Sequence, residues 1–221
     1  MVFNTMFVHL REGQKGGMIK CRTYIQNIQS EGLPVKLMIA SDIHGSARWC
    51  ERMLEALRRE APERLILLGD LLYHGPRNDL PEAYAPKEVI AMLNGVAPHV
   101  LCVRGNCEAE VDQMVLAFPV MADYGVLFAE GHALYATHGH VHNEGNPPPL
   151  QPGDVLLCGH THVPCCRRHE GFIYANPGSV AIPKQNTPHS YAVLEAGTMV
   201  WKDLEGGEFM RERLWEGRNP E

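Results

Sequence analysis

The sequence predicts an α/β fold carried by a mixed β-sheet or by two packed sheets, and three observations predict it. Apolar runs of strand length alternate with helical periodicity from Val35 to about Val96, whereas beyond Ala133 the pattern is almost all strand. Five of the apolar runs stop at residues of metal-ligand type, most of them beside a glycine. The chain of 221 residues, 45% hydrophobic, has no internal repeat or linker that would divide it, so one core is expected.

Residues 1–34 carry Gly13, Gly16-Gly17 and Gly32 without clear periodicity. They read as an irregular N-terminal extension, a tail or an overextended start of translation, with the domain proper at 35–221. Residues 35–40 form a first strand that delivers Ser41-Asp42-Ile43-His44-Gly45. Trp49, Met53, Leu54 and Leu57 then recur at helical spacing within 47–60, and Pro62 ends that helix. The run Leu65-Ile66-Leu67-Leu68 is short enough for a buried strand and stops at Gly69-Asp70. A carboxylate placed there is costly unless water, a cation or hydrogen bonds receive it. A polar loop, 73–78, leads on to Pro86, which opens a second helix over 87–96 with Val89, Leu93 and Val96 on its apolar side.

A third strand at 99–103 ends in Arg104-Gly105-Asn106-Cys107-Glu108, and a fourth at 133–136 ends in Thr137-His138-Gly139-His140. After Pro147, Pro148 and Pro149, the strand at 154–158 ends in Gly159-His160-Thr161-His162. Further strands lie at 172–175 and 191–195, and 198–203 pairs back after the Ala196-Gly197 turn.

Composition narrows the function. A formal net charge of -6 leaves no basic face for long nucleic acid, although bound cations would locally reverse that sign for a small anionic substrate. The opening residues lack the basic start and long apolar run of a secretory signal, and no run is long enough to span a membrane. Seven cysteines, an odd number, read as reduced thiols of a cytoplasmic protein, with Cys165-Cys166 as two neighbouring small hydrophobes. Four of the twelve histidines fall in two tight pairs beside glycine, which is not how histidine is scattered when it only fills space. His132, His142, His169 and His189 match no ligand pattern and read as surface residues.

Polar groups at the carboxyl ends of strands in one sheet come together, and open α/β folds bind ligands there. Five strand ends supply Asp42 with His44, Asp70, Asn106, His138 with His140, and His160 with His162. Imidazole, carboxylate and amide oxygen together suit Mn, Fe, Zn, Ni or Co better than Ca or Mg. In a strand, residues two apart point the same way, so each Asp-x-His or His-x-His pair is expected to aim two groups at one place.

In order along the chain, Asp42-x-His44, Gly69-Asp70, Gly105-Asn106-Cys107-Glu108, His138-Gly139-His140 and Gly159-His160-Thr161-His162 resemble the calcineurin-like metallophosphoesterase superfamily. His74-Gly75-Pro76-Arg77-Asn78, the Gly-Asn-Cys in place of the usual Gly-Asn-His, and Asn176-Pro177-Gly178-Ser179 are most similar to its small bacterial YfcE-type phosphodiesterases. The resemblance implies an α/β/β/α sandwich, two mostly mixed sheets flanked by helices, around two divalent metal ions, manganese in first place with Ni, Co, Zn or Fe as alternatives. It implies that Asp42, His44 and His162 hold one metal, that Asn106, His138 and His160 hold the other, and that Asp70 bridges them.

The activity so implied is hydrolysis of a small phosphodiester by a hydroxide between the metals. A phosphomonoesterase or nuclease on the same site, and a non-catalytic scaffold of the same fold, are the alternatives. A homo-oligomer is compatible with the resemblance. His140 is expected near the bound phosphate, with His74 and Arg77 as further phosphate contacts. Cys107 stands where many relatives carry histidine, and a thiol is a poor leaving-group acid at neutral pH. That role then falls to His74 or His140, or the leaving group needs little help. Cys107 itself reads as a small buried side chain beneath the site.

Overall fold

The computed structural model describes residues 2–7, 24–29 and 35–215, and within them the strands form two sheets. In chain order the elements are β1 (Val2–Phe7), β2 (Tyr24–Gln29), β3 (Leu37–Ala40), α1 (Ala47–Glu60), β4 (Arg64–Leu67), α2 (Pro86–Gly95), β5 (Val100–Cys102), α3 (Glu110–Val115), β6 (Tyr124–Ala129), β7 (His132–Thr137), β8 (Val155–Leu157), β9 (Cys165–Arg168), β10 (Ile173–Asn176), β11 (Ser190–Glu195), β12 (Thr198–Asp203) and β13 (Glu208–Arg213). One sheet runs β13-β12-β11-β3-β4-β5 and the other β2-β1-β6-β7-β8-β10-β9. Both are mixed: β3, β4 and β5 are mutually parallel, as are β7, β8 and β10, while β11 and β6 enter antiparallel.

The unbroken apolar run after Arg64 follows from burial on both faces. Leu65 and Leu67 turn to the helices, where Met38, Cys50, Met53, Leu54, Val89 and Leu93 complete one core. Ile66 and Leu68 turn to the other sheet, where Leu37, Ile39, Leu101, Leu134, Val155, Leu157, Ala175 and Trp201 complete a second. Burying each such side chain stabilises the fold by about 1.5–3 kcal/mol. α1 starts where Ser46 accepts the Trp49 N–H, and it stops at Ala61, left-handed at φ 46°, just before Pro62.

Two mixed sheets flanked by helices are the expected fold. α1 and α2 cover the six-stranded sheet, whereas on the outer face of the other sheet Leu156, Cys158 and Tyr174 lie under Tyr135, Leu150 and Phe172. The cover on that side is irregular because the 141–153 stretch is too rich in Pro and Gly for a helix. Cys165 and Cys166 alternate across their strand, the first packing on this outer cluster and the second between the sheets, as small hydrophobes would.

One expectation is corrected. Residues 1–34 read as irregular, yet β1 and β2 lie within them, pairing with each other and, through Met6 and Phe7, with the edge of β6. Their β-branched and aromatic residues on either side of Gly16-Gly17 carried that signal, and an open sheet edge gives such a segment a place to pair. Strands β6, β9 and β13 and the short α3 also escaped the sequence reading, being edge-proximal or polar segments with weak periodicity.

The end of α1 is tied to the sheet by Glu60, which is 7% exposed. Its carboxylate accepts from Lys202 Nζ and Tyr191 Oη, each at 2.8 Å, and lies 3.1 Å from Lys36 Nζ. Burial pushes this carboxyl up, but Lys202, Tyr191 and Lys36 outweigh it and hold the group at about 2, against the usual 4.5. A carboxyl depressed on folding stabilises above its unfolded value and loses that contribution as pH falls towards the folded one. Glu60→Gln should therefore cost about 2 kcal/mol at neutral pH in urea unfolding. The deficit should shrink between about pH 4.5 and pH 2, where the parent protein loses its advantage.

Candidate metal centre

The parallel strands of the two sheets end at the same rim of the sandwich, and their exit loops are stitched together there. Asp42 N–H donates to Gly69 O at 3.1 Å, His44 N–H to Asp70 O at 2.9 Å, and Gly159 N–H to His138 O at 2.9 Å. Between the sheets, His160 N–H donates to Asp42 Oδ2 at 3.1 Å. Gly159 is obligatory at this crossing, because a Cβ would lie 2.0 Å from Ser41 Oγ and 2.8 Å from Asp42 Oδ2.

The seven residues expected as ligands meet at this rim in two sets. In one, His162 Nε2 is 3.2 Å and His44 Nε2 is 3.6 Å from Asp42 Oδ1, and the two imidazole nitrogens are 3.3 Å apart. In the other, His138 Nε2 is 3.1 Å from Asn106 Oδ1 and 3.2 Å from His160 Nδ1. Asp70 Oδ2 stands between the sets, 3.7 Å from His44 Nε2 and 3.5 Å from His138 Nε2. Two donors about 2.1 Å from one ion, at octahedral or tetrahedral angles, are about 3.0–3.4 Å apart, close to these spacings.

Hydrogen bonding behind the rings shows that a cation fits. His44 Nδ1, His162 Nδ1 and His138 Nδ1 lie 2.8, 2.6 and 2.7 Å from the carbonyls of Tyr73, Ile182 and Leu68. A carbonyl only accepts, so each Nδ1 carries a proton and each inward Nε2 is the nitrogen left to take a metal ion or a second proton. These nitrogens face carboxylate oxygens, and Asp42 Oδ1 is buried without a hydrogen-bond partner. Acceptors facing acceptors in a dry place call for positive charge between them.

The titration directions agree. Burial alone would lower His138, but Asp70 and then Asp42 raise it to about 9. Burial would raise Asp42, yet His162 and His44 hold it well below the usual carboxylate range. The pair draws positive charge, proton or metal, to this spot.

The pairs converge by a route other than strand pleating. Asp42, His44, Asp70, His160 and His162 all sit beyond the strand ends with left-handed φ between 47° and 64°. Two left-handed residues around one intervening residue curl the chain so that both side chains turn inward. For residues with a Cβ this conformation costs of order 1–2 kcal/mol each, a strain found at sites where ligand geometry is imposed on the backbone.

The other expected site residues are distributed as follows. His140 is exposed at the mouth, its ring 5.4 Å from that of His138 and 6.3 Å from that of His160. His74 is half-buried, its ring edge-on to Tyr73 at 4.7 Å and Tyr84 at 5.3 Å. Arg77 is exposed, and among the described residues no hydrogen bond or ion pair ties it to the ligands.

Cys107 is only half-buried and is not packed beneath the site. Its N–H donates to Asp70 Oδ1 at 2.9 Å, which draws the residue across that carboxylate, and its Sγ joins His44 and Asp70 in a group whose donor atoms lie within 4.8 Å. His132 and His189 are not free surface residues either, for they stack on Trp215 and Trp49. Glu108, which carried no expected role, is a buried carboxylate beside Asp70 and Asn106. Burial and the Asp70 charge push it up to about 7. With Glu110 and Asp112 close behind it, nothing in the local composition singles Glu108 out; its place two residues after Asn106 is the signal that was there to be used.

The family model for the calcineurin-like phosphoesterase superfamily domain matches residues 35–199. The chain belongs to that superfamily. It is 49% identical over 161 residues to the phosphodiesterase YfcE of Escherichia coli K12, an alignment covering 73% of this chain and 88% of that protein. The solved structure of that E. coli phosphoesterase superposes with a TM-score of 0.79 at 44% identity, over 81% of this chain and all of the other. Vacuolar Protein Sorting 29 of Cryptosporidium parvum shares the fold at a TM-score of 0.53 and 18% identity, over 81% of this chain and 97% of that one.

Because the ligands must be deprotonated on their inward nitrogens, metal and protons compete here. Calorimetric titration with Mn2+ should show proton release on binding. The dissociation constant should weaken as pH falls from 8 to 6, since His138 takes up protons below about 9. A pH-independent affinity would contradict the assignment of these imidazoles as ligands.

Proposed function

We propose that the chain is a metal-dependent phosphodiesterase acting on small phosphodiesters with two divalent cations, manganese first among them. The observation that carries the reading is the meeting of seven donors from five strand-end loops in two sets that share Asp70 Oδ2. Asp42, His44 and His162 would hold one cation, Asn106, His138 and His160 the other, and Asp70 both. Cations so held supply Lewis acidity to the phosphoryl oxygens and a water acidic enough to attack phosphorus near neutral pH. The name of the 49%-identical E. coli relative supports a diester over a monoester.

The protein's own side chains set the remaining terms. His140 stands at the mouth next to His138 and His160, within reach of a phosphoryl oxygen lodged there. Burial, and then the charge of His138, depress its pKa, so at neutral pH it donates an N–H hydrogen bond and has no ready proton for a leaving group. Burial and then Asp70 raise the Cys107 thiol, so it stays protonated and is too weak an acid for the task. Tyr73, 42% exposed, forms an aromatic wall with His74 and Tyr84 next to His44. Such a wall suits an esterified organic group better than a bare phosphate oxygen. The net charge of -6 supports a small substrate over long nucleic acid. The six described cysteines are all free, which supports a reducing compartment such as the cytoplasm, and among the described residues no helix is long and apolar enough to cross a membrane.

Asp70→Ala should lose both bound metals and about a thousandfold or more of the hydrolysis of a chromogenic aryl diester in Mn2+. Retention of a tenth of the parent rate would sink the reading. Across aryl diesters of rising leaving-group pKa, the parent rate should fall steeply, by at least about threefold per unit, because neither Cys107 nor His140 is a ready acid for the leaving oxygen. A flat dependence would overturn this and point to His74 as the general acid.

A further inference from the structure

We infer that Glu108 is a positioning residue that holds the second half of the metal centre together, clamping the Asp70 loop to the Asn106 loop. The inference rests on the two-metal reading above. Glu108 is 4% exposed and sits in the exit loop of β5, two residues after Asn106. Its Oε2 accepts from Gly105 N–H at 2.5 Å and from Asp70 N–H at 2.9 Å, and its Oε1 accepts from Leu71 N–H at 2.7 Å.

The tie runs both ways. Asp70 Oδ1 accepts the N–H of Cys107 at 2.9 Å, so each loop presents a carboxylate to the other loop's backbone. With Oδ1 fixed in this way, Oδ2 is the oxygen left to face His44 and His138. The knot leaves no slack. A Cβ on Gly69 would lie 2.4 Å from Gly105 N, and a Cβ on Gly105 would lie 2.2 Å from Asp70 Oδ1 and 2.7 Å from Glu108 Oε2.

The two halves of the centre depend on this clamp unequally. Asp42 and His44 are fixed by backbone bonds to the exit loop of β4, by Ala181 N–H and Ser179 Oγ donating to Asp42 O, and by Tyr73 O behind His44. Asn106 is exposed, and its carbonyl oxygen reaches His138 from a loop whose tie to Asp70 is Glu108 and the Cys107 N–H. Loosening the clamp therefore misplaces Asn106 and Asp70 together, and the ion shared by Asn106, His138, His160 and Asp70 suffers first.

Glu108→Gln tests this. A carboxamide offers one accepting oxygen and turns N–H groups toward N–H groups on its other side, so it cannot satisfy all three donors. In Mn2+ titrations followed by calorimetry and electron paramagnetic resonance, the parent protein should take up two ions with the signature of a coupled pair. The variant should bind the first ion as the parent does and the second about tenfold or more weakly, the usual scale for losing a group behind a metal ligand. At one to two equivalents it should show an isolated Mn2+ signal, and excess Mn2+ should restore kcat with KM unchanged.

Glu108→Asp keeps the charge but falls one methylene short, and its second-site affinity should lie between the other two. It also serves if the glutamine variant does not fold. Parent-like second-site affinity in either variant overturns the clamp. Two ions bound to the parent without diester hydrolysis would overturn the substrate reading and leave the clamp standing.

Discussion

The arrangement on which the rest depends is a burial of electron pairs against electron pairs. Three imidazoles are turned by backbone carbonyls so that their Nε2 atoms look inward, and two carboxylates meet them there. In water such a cluster would fly apart; at the rim of a sandwich, where Asp42, His44, His138 and His162 are at most 3% exposed, it is held in place and draws a proton or a metal cation between its members. The fold supplies the stiffness that holds it. Two apolar cores on either face of β3, β4 and β5 fix where each exit loop begins, and carboxylate-to-backbone bonds between Asp42 and His160, Asp70 and Cys107, and Glu108 and Leu71 fix where each ends.

That division explains what was legible in the sequence. The buried strands announced themselves because burial on both faces demands unbroken apolar runs, and Leu65-Ile66-Leu67-Leu68 is such a run, packed between two apolar cores. The helix at Ala47–Glu60 was legible from its apolar spacing and from Pro62 after it. The meeting of polar groups was legible because five strand ends finish in carboxylate, amide or imidazole side chains, and the structure brings seven of them to one rim. Edge strands such as Glu208–Arg213, with polar residues facing solvent, carry little pattern and were missed.

What the sequence could not convey is how the chain turns after each strand. Side chains two apart in a strand do point alike, but Asp42, His44, His160 and His162 are not in strands. They are carried by left-handed backbone, which no residue with a Cβ favours on its own and which only the surrounding bonds impose. Gly45, Gly69, Gly105 and Gly159 make room for those bonds, since each would place a Cβ under 3 Å from a neighbouring loop atom. Cys107 was misread for the same reason. A small side chain just past a buried strand was expected beneath the site, but its N–H is captured by Asp70 and the thiol is left beside the site.

This placement of Cys107 bears on the chemistry the enzyme can afford. Cys107 lies beside Asp70 at the position where the family resemblance implies a leaving-group acid, and a thiol raised by burial and by Asp70 is too weak an acid for that role. His140 does not make up the loss, because burial and His138 depress its pKa, and bound cations would depress it further. On the proposed reading the catalytic burden then falls on charge stabilisation by the bound cations and on the leaving group's own stability, with His74 the one expected acid that neither effect removes. For a centre that relies so heavily on electrostatics, the spacing of its donors matters more than any single proton donor, and loop-to-loop ties such as that of Glu108 govern that spacing.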